Sequence, residues 1–342
     1  MISKQPSDVV ALLRSGHSVE VGPRGATHNP AKLQVALGFV AIYLIWGSTY
    51  LGIRYAVETI PPLLMMALRH LVGGLIVYFW VRRSGVPAPE FRQWKFAAIA
   101  GAALFLGGHG ILAWAEQKIP SGLAALLCAT LPLWTVLLAR FDGTEPRLGI
   151  KALIGILLGF AGVVVLIGPG ALTGHLDLLA ALAAMGSSLL WTIGTAYTRR
   201  VPLPSSKVLS AAMQMISGGT LLLIVGALTG ELNHFAITNL TTKSVMALVY
   251  LIVFGSIVAF TVYTWLVSVS SPSMLSTYAY VNPVVAVLLG WALAGEGLSL
   301  RTIIATVIIV AGVVLVTRRK SPTVAIEHNR PPADEAWEAA GD

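Results

Sequence analysis

Ten apolar segments, each long enough to cross a lipid bilayer, constrain what this chain can fold into. A helix needs roughly 20 apolar residues to span about 30 Å of hydrocarbon, and a backbone in lipid must satisfy its own hydrogen bonds. Only 11% of the 342 residues are charged, less than half the usual share of about 25% in a soluble domain. The pattern therefore predicts an all-α integral membrane protein with ten transmembrane helices. The segments cover residues 33–53, 62–81, 96–115, 120–139, 149–168, 176–198, 207–229, 244–267, 272–292 and 300–317.

Lysine and arginine residues are concentrated on one side of the predicted membrane. With the N-terminus placed inside, 18 of the 23 basic residues lie in inside segments and four in outside loops, while Arg69 falls within a span. This bias predicts that both termini face the cytoplasm. Because membrane topology accounts for the net charge of +8, we do not expect nucleic acid as a partner.

The two ends of the chain are polar. Residues 1–32 contain an apolar run too short for a signal peptide and are interpreted as a cytosolic tail. Residues 320–342 are rich in acidic residues and proline, which predicts a disordered cytosolic tail. The single cysteine, Cys128, excludes an internal disulfide and a multi-cysteine metal site.

The two halves of the membrane region match each other. Trp46 corresponds to Trp191 at an offset of 145 residues, and Pro132 corresponds to Pro283 at an offset of 151. Each half has five predicted helices, an odd number, so the second half would enter the membrane from the opposite side. The pattern predicts two inverted five-helix repeats, a design that many secondary transporters share. The repeats are predicted at residues 33–170 and 171–319.

Three stretches carry a resemblance to a known family. They read IWGSTYLGIRYAVETIPPLLMMALRHLVGG, AEQKIPSGLAALLCATLPLWTVLLA and SPSMLSTYAYVNPVVAVLLGWALAGE. They resemble the EamA family of the drug/metabolite transporter superfamily, and the resemblance extends from about Leu33 to Arg319. The family implies ten helices, an internal duplication, a central substrate cavity and small organic substrates that are often exported. Within it, the chain is similar to bacterial inner-membrane amino-acid exporters of the YddG type.

Two prolines interrupt predicted helices at matching positions in the two halves. Pro132 and Pro283 lack an amide N–H and clash one turn back, which frees the carbonyls of Cys128 and Ala279. Interrupted helices in equivalent positions indicate a transport site, so we expect these prolines to kink or gate the helices. Asn282 either binds substrate or freed backbone, or ties two helices together.

Aromatic side chains within the spans provide a second indication of a site. Trp46 and Trp191 lie deep in their spans beside serine and threonine residues, which predicts that they face the interior. A wall of aromatic faces and hydroxyls suits an amphipathic, neutral or zwitterionic solute. Tryptophans and tyrosines near span ends are instead expected in the interfacial belt. The further aromatic and hydroxyl candidates for substrate binding are Tyr50, Thr277, Tyr278 and Tyr280.

Ionisable side chains are rare within the predicted spans. No acid lies at mid-span, with Glu116 at the outer end of the third span, and this argues against a pump built on a buried carboxylate. Arg69 either snorkels to the outer surface or binds a substrate carboxylate. His109 is also a candidate substrate-binding residue, and it is either a proton-coupling group or a structural one. Gln214 is a polar candidate for substrate binding or for helix packing.

The combined pattern predicts an inner-membrane transporter that works by alternating access and exports amino acids, including aromatic and other neutral ones. The alternatives are a transporter for another small amphipathic metabolite or drug, and a lipid-linked carrier. The chain contains no G-x-S-x-G, H-E-x-x-H or P-loop motif, so neither an intramembrane enzyme nor an ATP-driven pump is expected. We expect no catalytic residue, no cofactor and no metal ion, a small-molecule substrate, contacts with membrane lipid, and a monomer or weak oligomer.

Overall fold

The computed structural model describes residues 32–141, 149–168, 176–270, 272–275 and 277–317. The described part is helical throughout its regular structure, which confirms the all-α prediction. The predicted N-terminal tail, apart from residue 32, and the predicted C-terminal tail lie outside the described residues. The long helices are α1 Lys32–Ala56, α2 Pro62–Arg83, α3 Phe91–Glu116, α4 Ser121–Phe141, α5 Ile150–Ile167, α6 Leu178–Thr198, α7 Lys207–Leu228, α8 Thr242–Leu266, α9 Tyr278–Ala294 and α10 Leu300–Thr317.

The observed helix boundaries differ from the predicted spans in two places. Helix α3 begins at Phe91, five residues before the predicted start, because Glu90 and Gln93 form a capping box that starts the helix there. The predicted ninth span is divided into a short helix at Pro272–Leu275 and the 17-residue helix α9. In the part that the structure describes, α9 is the shortest of the ten long helices, and the other nine are long and apolar enough to cross a membrane.

Helices α3 and α8 each contain a π-helical segment. In α3 it covers Ala102–Gly110, and in α8 it covers Leu251–Val258. π-Helical segments are rare in proteins, and those that occur often lie at functional sites. The two helices are the third of their respective halves, α1–α5 and α6–α10, so the irregularity occurs at corresponding places.

The main helix contacts of the first half are repeated in the second half, where each helix α1–α5 corresponds to the helix five places later. Helix α2 packs against α7, and α5 against α10. Helix α1 packs against α8 and α9, while α6 packs against α3 and α4. An inverted repeat would produce this reciprocity. The boundary between repeats at residue 170 stays a prediction.

Glycines allow α5 and α10 to approach closely. A Cβ atom added to Gly312 would lie 2.6 Å from the backbone nitrogen of Gly159, and one added to Gly155 would lie 2.8 Å from the carbonyl oxygen of Gly312. Small residues at such a contact let two helix backbones pack directly in lipid. A larger side chain at these positions would force the two helices apart.

Candidate functional site

Aromatic rings from two other helices pack around Trp46 of α1. The Trp46 ring centroid is 5.2 Å from those of both Tyr263 in α8 and Tyr278 in α9, and the two tyrosine rings are 6.0 Å apart. All three side chains are half-buried. The hydroxyls of Tyr43 and Thr277 hydrogen-bond to each other across α1 and the start of α9. We call these five residues the Trp46 cluster; it offers ring faces and neutral hydroxyls.

A second group of rings forms around Trp191 of α6. Trp191 stacks on His109 at a centroid distance of 4.6 Å, and His109 stacks on His70 at 5.0 Å. His109 Nδ1 and His70 Nε2 are 2.9 Å apart, so one nitrogen donates a hydrogen bond to the other. Phe105 packs on His70 at 4.3 Å. We call these four residues the Trp191 cluster; unlike the Trp46 cluster, it contains imidazole rings.

Arg69 lies next to His70 on α2 and is held inside the bundle. Its side chain is only 4% exposed, and its Nε donates to the Ser256 hydroxyl at 3.1 Å. That hydroxyl donates in turn to the Leu251 carbonyl at 3.1 Å, five residues earlier in the π-helical segment of α8. A Cβ atom on Gly255 would lie 3.3 Å from the guanidinium, so the glycine makes room for it. This burial favours an interior role for Arg69 over snorkelling.

The two tryptophans at equivalent repeat positions each contact the opposite half of the molecule. Trp46 meets α8 through Tyr263, and Trp191 meets α3 through His109. In both cases the partner helix is the one that contains the π-helical segment of its half. Each cluster is therefore assembled across the boundary between the two halves.

Several predicted site residues lie close to the Trp46 cluster without belonging to it. Tyr50 lies one turn beyond Trp46 on α1 and interacts with the Cys128 thiol. Asn282 is buried, and its Oδ1 finds no hydrogen-bond partner within the described residues. Its backbone carbonyl lies where α9 approaches Gly47 of α1. Both side chains are therefore within the same region of the bundle.

The two prolines behave differently. Helix α4 is interrupted at residues 129–130, just before Pro132. At the interruption, the Thr130 hydroxyl donates to the Leu127 carbonyl at 2.7 Å and hydrogen-bonds to Ser188 of α6 at 3.0 Å. Helix α9 instead continues through Pro283. The local polar contacts of Thr130 stabilise the break in α4, so the two halves are not identical here.

The structure brings together Trp46, Thr277 and Tyr278 in one cluster and His109 and Trp191 in the other. Gln214 is buried on α7 and Tyr280 is half-buried on α9, and neither belongs to a cluster. His70 and Tyr263 complete the clusters although they were not among the predicted site residues. An ionisable residue adjacent to Arg69 in a span is the signal that could have identified His70.

Acidic and basic side chains join the helices at the end of the bundle predicted to face outside, which we call the outer end. Lys118 pairs with Asp177 at 3.3 Å, and Lys243 pairs with Glu58 at 2.6 Å. The Ala180 amide, which donates to Asp177, and the Lys118 ammonium hold the pKa of the Asp177 carboxyl below its usual value. Both pairs connect the first half of the chain with the second.

Two further carboxylates cap helix starts at the outer end. Glu231 accepts hydrogen bonds from the amides of Leu63 and Leu64 at the start of α2, at 3.1 and 2.9 Å. Glu296 accepts from the amide and the hydroxyl of Ser121 at the start of α4, both at 2.7 Å. An anion at a helix N-terminus satisfies free amides and complements the helix dipole. These contacts also cross between the halves and close the outer end.

The described ranges show no group of three or more histidine, cysteine, aspartate or glutamate side chains that could hold a metal ion. A depression of about 460 Å³ opens at the outer end, where Arg54, Lys118 and Glu296 line it. It is separate from both tryptophan clusters.

Comparisons with known proteins agree with this architecture. Residues 33–168 and 178–318 match the EamA-like transporter family. Over 282 residues, the chain is 39% identical to the uncharacterized inner membrane transporter YedA of Escherichia coli (strain K12), covering 82% of this chain and 89% of that protein. It is 24% identical over 284 residues to a probable amino-acid metabolite efflux pump of Salmonella typhimurium, covering 80% and 92%. One crystal structure, at 24% identity, has a TM-score of 0.57 and covers 83% of this chain and 97% of that one, a likeness of fold alone.

Proposed function

This chain belongs to the EamA-like transporter family, and from that premise we propose that it exports amino acids, aromatic and other neutral ones foremost, by alternating access. The relative named as a probable amino-acid metabolite efflux pump supports this direction and this class of substrate, and the relative named as an inner membrane transporter supports the location. Both termini face the cytoplasm in this proposal, as the distribution of basic residues predicts.

The observation that carries the proposal is that both aromatic clusters are built from the two halves of the chain. Trp46 meets Tyr263 and Tyr278 of the second half, and Trp191 meets His109 of the first. A rocking movement of one half against the other would therefore open or close both clusters. Alternating access in inverted-repeat transporters uses movement of this kind around a fixed site.

The chemistry of the two regions matches the two parts of an amino acid. Arg69 is a buried cation that can bind a carboxylate, while the rings of the Trp46 cluster can contact an apolar side chain or an ammonium group. The two features are close: Thr49, which donates to the Trp46 carbonyl at 2.6 Å, also flanks the Gly255 position beside Arg69. An amino acid bound between them would place its carboxylate at Arg69 and its side chain or ammonium group against the rings of the Trp46 cluster.

The contacts at the outer end support a conformation that is closed to the outside. Ion pairs and helix-capping carboxylates join the two halves there. In the proposed cycle this state accepts substrate from the cytoplasm, and breakage of these contacts opens the route outward.

Transport by the purified full-length chain in liposomes tests the proposal. Vesicles loaded with radiolabelled phenylalanine, tryptophan, methionine or threonine would be diluted into label-free buffer, and the rate of label loss compared with that of protein-free vesicles. We expect saturable release, fastest for the aromatic amino acids. If the folded protein released none of the four amino acids faster than protein-free vesicles do, the amino-acid proposal would be refuted. The family membership would be unaffected.

A further inference from the structure

Glu116 presents a carboxyl group that the transport proposal does not use. It is the last residue of α3 and is 0% exposed. Within the described residues, neither carboxylate oxygen has a hydrogen-bond partner. An ionised carboxylate buried without donors is far more costly than the neutral acid, so this environment favours the protonated form.

The basic groups around Glu116 do not contact its carboxylate. Arg54 of α1 directs its Nη1 to the Glu116 backbone carbonyl, at 2.6 Å. Arg69 of α2 lies within electrostatic range, but its Nε donates to Ser256. The two arginines favour a negative charge on Glu116 from a distance, but neither donates a hydrogen bond to its carboxylate oxygens. They also disfavour a sodium or other metal ion at the same place.

The remaining neighbours add no positive charge, and one of them opposes ionisation of Glu116. Tyr50 of α1 and Cys128 of α4 face it with neutral side chains. Glu296, which follows α9, faces it with a like charge. On the α6 side, the Asp177 carboxylate is paired with Lys118 at 3.3 Å.

The like charge matters because Glu296 holds the outer end together. Its carboxylate accepts hydrogen bonds from Ser121 at 2.7 Å and from the Gly122 amide at 2.9 Å, at the start of α4. Gly290 leaves the space that this carboxylate occupies, since a Cβ atom there would collide with it. A negative charge on Glu116 would repel Glu296 and weaken this junction between α4 and the end of α9.

We infer that Glu116 is a proton-binding site whose occupancy is linked to closure of the outer end. The closed outer end buries a neutral Glu116 next to an ionised Glu296. Opening hydrates Glu116, because Arg54 and Glu296 beside it line the depression that faces outside, and the hydrated carboxyl then releases its proton. The inference rests on the alternating-access part of the proposed function and is independent of the substrate.

The linkage between proton binding by Glu116 and opening of the outer end sets the direction and size of the pH dependence. Because the open form binds one proton fewer, the ratio of open to closed protein rises by up to tenfold for each pH unit, over the pH range in which Glu116 is protonated in the closed form and ionised in the open form. External acid therefore favours the closed outer end and slows export. A glutamine at position 116 resembles the neutral acid and would remove this dependence.

A cysteine reporter measures opening without any substrate. Ile119 is 1% exposed and lines the depression, so Ile119→Cys in a Cys128→Ala background reports access from outside. A membrane-impermeant maleimide would be added to right-side-out vesicles between pH 5.5 and 8.5. The rate would be divided by that of Gln117→Cys, an exposed position, to correct for thiol ionisation. Glu116→Gln and Glu116→Asp would be compared with Glu90→Gln, which removes an exposed acid at the opposite end of α3.

We expect the normalised rate to rise with pH in the parent, Glu116→Asp and Glu90→Gln proteins, and to stay low and flat in Glu116→Gln. A rise of the same steepness in Glu116→Gln would overturn the inference, as would a flat profile in the parent. Neither outcome depends on amino-acid transport, so failure of the substrate proposal would be recognised separately.

Discussion

The Trp46 and Trp191 clusters occupy corresponding places in the two halves but differ in chemistry. Trp46 is surrounded by tyrosines and by the Tyr43–Thr277 hydroxyl pair. Trp191 instead stacks on a histidine pair. The contrast shows that the duplication conserved the packing of helices while the side chains diverged. The first cluster offers tyrosine and threonine hydroxyls to a solute, and the second offers a hydrogen-bonded pair of imidazole rings.

Replacement of Arg69 tests the proposed carboxylate-binding group between the two clusters and should have the largest effect. Arg69→Gln removes the cation proposed to bind the substrate carboxylate, and hydrogen bonds to charged groups contribute about 1.5–3 kcal/mol. We expect kcat/KM for phenylalanine to fall about 10- to 100-fold. Transport of phenethylamine, which lacks the carboxylate, should change much less. Equal losses for both compounds would show that Arg69 is structural.

Removal of the histidine hydrogen bond tests the Trp191 cluster without changing its shape. His109→Phe keeps a flat ring against Trp191 but leaves His70 without its 2.9 Å partner. A buried polar group without a partner costs about 1–3 kcal/mol, so we expect a lower thermal unfolding midpoint in detergent. An unchanged midpoint would mean that the histidine pair is not a structural element of the cluster.

Loss of a hydroxyl group from the Trp46 cluster should have a smaller effect. Tyr43→Phe removes the hydrogen bond to Thr277, and such bonds within membrane proteins average about 0.6 kcal/mol. A double-mutant cycle with Thr277→Val, followed by thermal or denaturant unfolding, would measure the coupling. A coupling energy larger than the stability lost in His109→Phe would reverse the expected order of these two effects.

Asp177→Asn provides the smallest expected change, because Asp177 belongs to neither cluster. Asparagine retains the helix cap and loses only the charge that faces Lys118. Because the pKa of Asp177 is lowered, the carboxylate stabilises the fold above its ordinary pKa of about 3.9, and this contribution is lost as the pH falls through the lowered value. Unfolding curves of the two proteins should therefore differ slightly at neutral pH and converge in acid below about pH 4. A difference that persists in acid would contradict this origin.

Most of the fold could be predicted because apolar length is a direct property of the sequence. Ten segments of about 20 residues leave few alternatives in a membrane. The division before α9 and the early start of α3 were not predicted, since they depend on local turn and capping contacts such as that of Glu90 with Gln93. Hydropathy does not report such contacts.

The candidate site was only partly predictable. The depth and polar neighbours of Trp46 and Trp191 indicated interior positions, but their partners belong to the other half of the chain. Glu116 illustrates the limit: it ends a span, which suggested an interfacial acid, yet packing against Arg54 buries it completely. Sequence position gives depth along a helix but not the face on which a side chain lies.

Phenylalanine release by three tryptophan variants tests the central claim most directly, namely that both clusters form the substrate route. Trp46→Ala and Trp191→Ala remove rings from the clusters, whereas Trp134→Ala removes a ring that packs on Phe160 at 5.1 Å, within the first half. Loss of aromatic contacts of about 1.5 kcal/mol should lower kcat/KM about tenfold in the first two proteins, and the third should stay within about twofold of the parent. Equal activity of all three variants, each correctly folded, would contradict the account.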